Sequence, residues 1–335
     1  MLIPGLTEPS FRSYLWAKQT MDGIMQEATK RKYKTVVLDA DSYETIDYDV
    51  LFGTERRMLI VIGTSISWMP TALSFFTAKK IETIFISFDP AETALPTGMV
   101  RMDYVGAIAH LLSYLTKDCA RRRIALYGYN PNSSADNIKL RFFNSWKRQF
   151  DEGHEHDVFQ NLADLEECFQ QFYPRVHQFD AVICANDIAA VSLLSYLSEH
   201  DIRIPEDLYI VAFGDSKISE HVKPSLTIAT LDHPEMGRQA VLLFSHLCKM
   251  PATASVSSRV RSKLIIRATT AYTPDTTTDQ LPIDNSNAFA NAVDFYQDPE
   301  AEQLLRAEML LDACDEADFT LLQSVLKGFS LDQLA

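Results

Sequence analysis

Short, wholly apolar runs separated by longer helical stretches fill about the first 230 residues, and this alternation limits the fold more than any other feature. The runs are Leu2-Ile3, Thr35-Val36-Val37-Leu38, Met58-Leu59-Ile60-Val61-Ile62 and Thr83-Ile84-Phe85-Ile86. They continue with Ile124-Ala125-Leu126-Tyr127, Ala181-Val182-Ile183-Cys184 and Leu208-Tyr209-Ile210-Val211-Ala212. Runs that are apolar at every position suit parallel strands covered on both faces. Helical patterns lie between them at 11–31, 104–118, 136–150 and 187–200. Strand and helix in alternation predict an α/β fold of doubly wound parallel sheets. With 335 residues there is chain enough for about two such domains.

The composition shifts after about Thr270, where 273–297 is rich in Thr, Pro, Asp and Asn and reads as a linker. Asp298 followed by Pro299 is a good helix start, a capping side chain and then proline in the first turn. The helix expected from Asp298 to Asp315 carries Leu304, Leu305, Met309 and Leu311 near one face, and a second begins near Asp318. No apolar stretch approaches the roughly 18–20 residues of a membrane span, and the first residues lack the pattern of a signal peptide. The five cysteines (Cys119, Cys168, Cys184, Cys248, Cys314) are far apart and odd in number, which suggests a reducing cytoplasm rather than a disulfide framework.

A net charge of −14 repels the phosphate backbone, so any DNA contact is expected from a small segment outside the acidic body. The same charge also serves simply to keep a protein soluble. Enzyme motifs are lacking: there is no Gly-x-Ser-x-Gly, no Gly-x-x-x-x-Gly-Lys and no Gly-x-Gly-x-x-Gly after a strand. His154-Glu155-His156-Asp157 sits in a polar turn at a spacing that fits a solvated loop better than a metal site. The expectation is therefore a non-enzyme with neither cofactor nor metal.

Several segments, in order, resemble the effector-binding core of LacI/GalR-family transcriptional regulators. Phe179-Asp180-Ala181-Val182-Ile183-Cys184-Ala185-Asn186-Asp187 is similar to that family's strand and Asn-Asp turn, and Ile202-Arg203-Ile204-Pro205-Glu206-Asp207 to the entry of its next strand. Pro224-Ser225-Leu226-Thr227, Met236-Gly237-Arg238-Gln239-Ala240 and Leu264-Ile265-Ile266-Arg267-Ala268-Thr269 follow at family-like distances. Upstream, Arg121-Arg122-Arg123-Ile124 and Arg141-Phe142-Phe143-Asn144-Ser145-Trp146 fit the same spacing. The resemblance spans 1–270 and implies a type I periplasmic-binding-protein-like architecture, two α/β lobes joined by three crossovers with a ligand in the cleft. The expected division is 1–122 with 230–252 in the first lobe and 123–229 with 253–272 in the second; 298–335 is a helical tail.

The resemblance puts Arg141 in the cleft, where a planar fork of donors suits paired hydroxyls or a carboxylate. Asn186 and Asp187 follow a strand's carboxyl end and could bond to sugar hydroxyls, although Asp187 could equally cap the next helix. Asp103 aligns with another cleft carboxylate and could also be a cap. Thr64 and Ser65 past the third strand, and Ser10, Phe11 and Arg12 past the first, belong on the cleft rim in such a fold. Gly214 stands where the family usually carries an acid, with Asp215 the nearest substitute, and Asn144 replaces a usual glycine. Both departures argue against a standard hexose.

The family's regulators begin with a helix-turn-helix of about 60 residues, whereas residue 2 here already lies in the first core strand. The tail from Asp318 to Ala335 resembles the opening of a LuxR-type helix-turn-helix, with Gly328 suited to a helix C′ position and Ser330 to the next N-cap. The expectation is a cytoplasmic, dimeric sensor of a sugar-like effector that reaches DNA through a C-terminal continuation. The alternative is a solute-binding protein serving a transporter or receptor.

Overall fold

The computed structural model describes residues 1–12, 14–89, 96–149, 157–162, 164–214, 216–250, 255–271, 299–314 and 318. The chain opens with β1 (Leu2–Thr7), α1 (Leu15–Lys30), β2 (Lys34–Leu38), α2 (Tyr48–Phe52) and β3 (Met58–Ile62). It continues through α3 (Met69–Ala78), β4 (Glu82–Ile86) and β5 (Gly98–Met102) before leaving the first lobe. The second lobe holds α4 (Tyr104–Ser113), β6 (Ile124–Tyr129), α5 (Ser134–Lys147), β7 (Val158–Gln160) and α6 (Leu165–Phe172). There follow β8 (Ala181–Cys184), α7 (Asp187–Glu199), β9 (Tyr209–Phe213), α8 (Lys217–His221) and β10 (Thr227–Ala229). The chain returns for α9 (His233–Leu247) and β11 (Val256–Val260), crosses again to β12 (Leu264–Ile265), and resumes at α10 (Pro299–Ala313).

Among the described residues two six-stranded sheets result. The first runs β2-β1-β3-β4-β5-β11 with every neighbouring pair parallel. The second runs β7-β6-β8-β9-β10-β12 and is parallel except for the β10–β12 pair. The wholly apolar runs form central strands: every residue of β3, β6, β8 and β9 is buried, as layers covered on both faces require. Thr35–Leu38 departs from this rule. It forms the edge strand β2, and Val37 there is 58% exposed. This is the expected doubly wound, two-lobed α/β architecture.

Two lobe boundaries differ from the expected ones. Ala107, Ile108, Leu111 and Leu112 of α4 pack with Ile124, Leu126, Ile183 and Tyr209, so the first crossing falls at Asp103 rather than at 122. β11 pairs with β5, so the last crossing follows Val260 rather than preceding 253. The three crossings lie side by side. Asp103 N–H donates to Val260 O at 2.8 Å and Thr230 N–H to Lys263 O at 2.8 Å, which makes the hinge a hydrogen-bonded unit.

α1 and α9 meet backbone to backbone on the first lobe. A Cβ on Gly23 would stand 3.0 Å from Pro234 Cα, and one on Gly237 would stand 2.8 Å from Ile24 N. Only glycine permits that approach, and it fixes the start of α9 beside the interlobe cleft.

α10 lies against both lobes. Ala301 is fully buried, and Leu304, Leu305, Ala307 and Leu311 pack on the second lobe's core. Leu305 also touches the first. Lys217 Nζ donates to the carbonyls of Leu311, Asp312 and Cys314 at 3.0, 3.1 and 3.2 Å, which satisfies the helix's C-terminal end. Met309, expected on the apolar face, is exposed instead. The tail motif expected from Asp318 onward lies, except for Asp318 itself, outside the described residues, as do His154 and His156. Among the described residues no helix is long and apolar enough to cross a membrane, and no group of metal-ligating side chains comes together.

Candidate functional site

A cavity of about 350 Å³ lies between the lobes, within the range of small-molecule sites. Its walls come from loops at the carboxyl ends of strands, where open α/β sheets bind their ligands. Thr64 follows β3 and Ser87 follows β4; Asn130 follows β6, Asn186 and Asp187 follow β8, and Gly214 and Ser216 follow β9. Trp16 and Gln19 of α1, Asp136 and Lys139 of α5, and Asp232 and His233 at the start of α9 add to the polar lining. Leu305 and Glu308 of α10 add a further wall.

The lobes are joined along one side of this cavity. Ser134 N–H donates to Thr64 O at 2.9 Å, and Ile66 N–H donates to Asn132 O at 2.8 Å. Asp89 N–H donates to Ser134 Oγ at 2.9 Å, and the hydroxyls of Thr64 and Ser133 lie 3.4 Å apart. Behind this contact the buried Glu8 carboxylate accepts from Thr64 N–H at 3.1 Å and from the Ser65 backbone and hydroxyl. Glu8 thus holds the β3 loop in place from below.

In the second lobe Lys139 is only 3% exposed. Its ammonium donates to Asp136 Oδ1 at 2.8 Å and to Ala185 O at 2.6 Å. It also lies over the rings of Phe213 and Tyr104, at 4.6 and 5.1 Å from their centroids. Asp136 accepts in addition from Asn130 N–H at 3.1 Å. One buried ion pair therefore ties the loops after β6 and β8 together at the cavity floor.

The Asp187 carboxylate accepts from Ser216 N–H at 3.2 Å and from the Ser216 hydroxyl. Burial pushes its pKa up, while those hydrogen bonds pull it down. Glu308 lies across from it on α10, and burial, then Asp187, then Asp312 push its pKa up to about 8. Burial lowers His233 to about 4, so its imidazole is neutral near pH 7. Among the described residues, two buried polar atoms in the lining, Ser87 Oγ and His233 Nδ1, have no hydrogen-bond partner. Ser87 also holds a positive φ of 68°, a conformation found at sites where function holds the backbone in place.

The residues singled out from the sequence divide sharply. Thr64, Asn186 and Asp187 line the cavity. Asn186 also caps α7, accepting from Ala189 N–H at 2.8 Å. Ser65 stands just behind the lining on Glu8. Asp103 is the N-cap of α4, accepting from Gly106 N–H at 3.2 Å, and does not line the cavity. Arg141 is exposed on α5 and takes no part in the lining. Ser10 is exposed as well. Arg12 is engaged with Asp39 and Asp41 at the surface, and its hydrogen bond to Asp41 raises its pKa. Phe11 belongs to the core, with its ring centroid 5.2 Å from that of Trp16, so it supports the wall without forming it. Asp215 lies outside the described residues.

Sequence reasoning missed Ser87, Lys139, His233 and Glu308. Only Glu308 left a signal, since positions 301, 304, 305, 308 and 311 form one helical stripe into which it falls.

Residues 118–270 match the family model described as a periplasmic binding protein-like domain. An arabinose metabolism transcriptional repressor of Halalkalibacterium halodurans is 34% identical over 118 residues, 33% of this chain. That match spans 31% of the repressor's own length. The NTD biosynthesis operon regulator NtdR of Bacillus subtilis is 23% identical over 290 residues, 80% of each chain. Among solved structures, a LacI family transcriptional regulator from Enterococcus faecium with bound ribose has a TM-score of 0.62 at 19% identity, covering 81% of this chain and 99% of that one. The fold is that of type I periplasmic-binding-protein-like domains, and the chain is similar to LacI-family transcriptional regulators. The LuxR-like reading of the tail finds no support among these relatives.

Proposed function

We propose that this chain is the effector-binding part of a transcriptional regulator of the LacI/GalR type, taking a small, polar, sugar-like metabolite into the interlobe cavity. The observation that carries this reading is the cavity itself, enclosed by both lobes and lined by two buried polar atoms that lack partners. A hydroxyl-rich ligand supplies what those atoms need, and an unmatched buried polar group is costly. The relatives' names favour a regulator over a transporter's binding protein. The regulator works as a homodimer in the cytoplasm, and DNA is met by a segment outside the acidic core. Effector occupancy changes the hydrogen bonds between the 64–67 and 130–134 loops, and the three-stranded hinge carries that change outward.

Thermal melting against a panel of neutral, basic and acidic sugars and nucleosides tests the reading. A ligand held at about a hundredfold excess over its Kd stabilises the native state by about 2.7 kcal/mol. Ser87→Ala is expected to weaken the hit about tenfold without lowering the melting point of the free protein, since it removes a buried hydroxyl that has no partner. A panel in which nothing shifts the transition overturns the proposal.

A further inference from the structure

The charges lining the cavity do not balance. Among the described residues four carboxyl groups reach it, from Asp136, Asp187, Asp232 and Glu308, against the single lysine Lys139. Lys139 is committed to Asp136 and to the Ala185 carbonyl. Asp232 serves as the N-cap of α9, accepting from Glu235 N–H at 2.9 Å. His233 is neutral, and no arginine is found in the lining among the described residues. Asp187 from the second lobe and Glu308 from α10 remain as a carboxyl pair, with Asp312 near Glu308 and the Lys217 ammonium turned to the carbonyls at the helix end. Two carboxyls in a shared, largely buried space do not both ionise without a cation.

Building on the proposed effector site, we infer that its ligand is an amine-bearing polyhydroxyl compound whose ammonium lies between Asp187 and Glu308. Ser87 Oγ and His233 Nδ1, both without partners in the same lining, take its hydroxyls. The ammonium replaces the proton that keeps Glu308 neutral. Binding then ionises Glu308 and releases one proton to solvent, so the number of protons given up reports on the mechanism. Sugar phosphates and sugar acids are excluded by like charge. Glu308 sits on α10, so the ligand also bridges this helix to the second lobe.

Calorimetric titration of the 335-residue chain at neutral pH, in two buffers of different ionisation enthalpy, tests this with matched pairs. The probes are glucosamine with glucose, galactosamine with galactose, and mannosamine with mannose. The expected result is an amine that binds at least about tenfold tighter than its hydroxyl twin and releases about one proton. Glu308→Gln, which keeps the shape of the neutral carboxyl, erases both that preference and the proton release. A neutral sugar that binds as well as its amine, or an amine that binds with no proton release, overturns the inference and leaves the effector cavity standing. If none of these probes binds but another compound of the broader panel does, the amine is again wrong and the cavity right. If nothing in either set binds, both fail.

Discussion

Gly214 and Asp187 fit together such that neither position tolerates a larger neighbour. A Cβ added to Gly214 would fall on the Asp187 carboxyl group and 2.9 Å from its Cβ, at a backbone φ of +154° that side chains rarely adopt. The glycine at this position is thus a condition for the acid to stand where it does. The carboxylate comes from the start of α7 and occupies space beside the end of β9. Gly214→Ala is expected to cost about 2 kcal/mol or more, as a lowered denaturation midpoint. Combined with Asp187→Gly it should cost less than the sum of the two, because the clash is then gone. Full additivity would show that the strain is in the backbone alone.

Lys139 supports the second lobe's half of the cavity. Replacing it with Met would leave Asp136, 6% exposed, with a buried carboxylate held only by Asn130 N–H among the contacts described above. Removal of one partner from a buried pair costs about 3–5 kcal/mol. Lys139→Met should therefore lower the melting temperature by several degrees and weaken effector binding, and adding Asp136→Asn should recover part of the loss. Stability unchanged in the single variant would mean that the pair is open to water.

These two residues also mark the limit of what could be read in advance. The central strands announce themselves because burial on both faces demands apolar side chains at every position. β11 is Val-Ser-Ser-Arg-Val and β5 contains Gly98 and Arg101; as outer members of their sheet they tolerate polar residues and carry no such mark. The apolar stripe of α4 is evident, but a stripe does not say which of two sheets it covers, which is why the lobe boundary expected at 122 falls at Asp103 instead. Asp103 was legible as a cap from its place before a helix, whereas the cap that Asp187 could have made is made by Asn186 instead. The decisive groups at the cavity depend on contacts between distant segments: Ser87 with a strained turn, His233 with the α1–α9 contact, and Glu308 with a helix that returns across both lobes.

Arg141 tests the resemblance directly. Two positions along an α-helix turn through about 200°, so Arg141 and Lys139 project from opposite sides of α5. Lys139 faces the cavity, and the arginine is exposed. Arg141→Ala should change stability by no more than about 0.5 kcal/mol and effector affinity by less than about twofold. A tenfold loss of affinity would return Arg141 to the site and show that the lobes bind ligand in a different arrangement.

The free protein should lose stability toward both acid and alkali, through different groups. Glu308 has its pKa raised to about 8, so the stability associated with its neutral form is complete below the ordinary carboxyl value of 4.5 and is lost as the pH rises through 8. Asp187, raised by burial, acts in the same direction. His233 behaves oppositely. Its pKa is lowered to about 4, so its contribution is complete above the ordinary value of 6.5 and is lost as the pH falls through 4. Each effect is on the order of a few kcal/mol at most. Melting curves of the ligand-free chain between pH 4 and pH 9 measure both, with about these limits set by the two groups. Glu308→Gln should flatten the alkaline side alone and His233→Asn the acid side alone. An alkaline decline that survives Glu308→Gln unchanged would mean that the carboxyl on α10 is already ionised and solvated, and that the helix does not close the cavity as described.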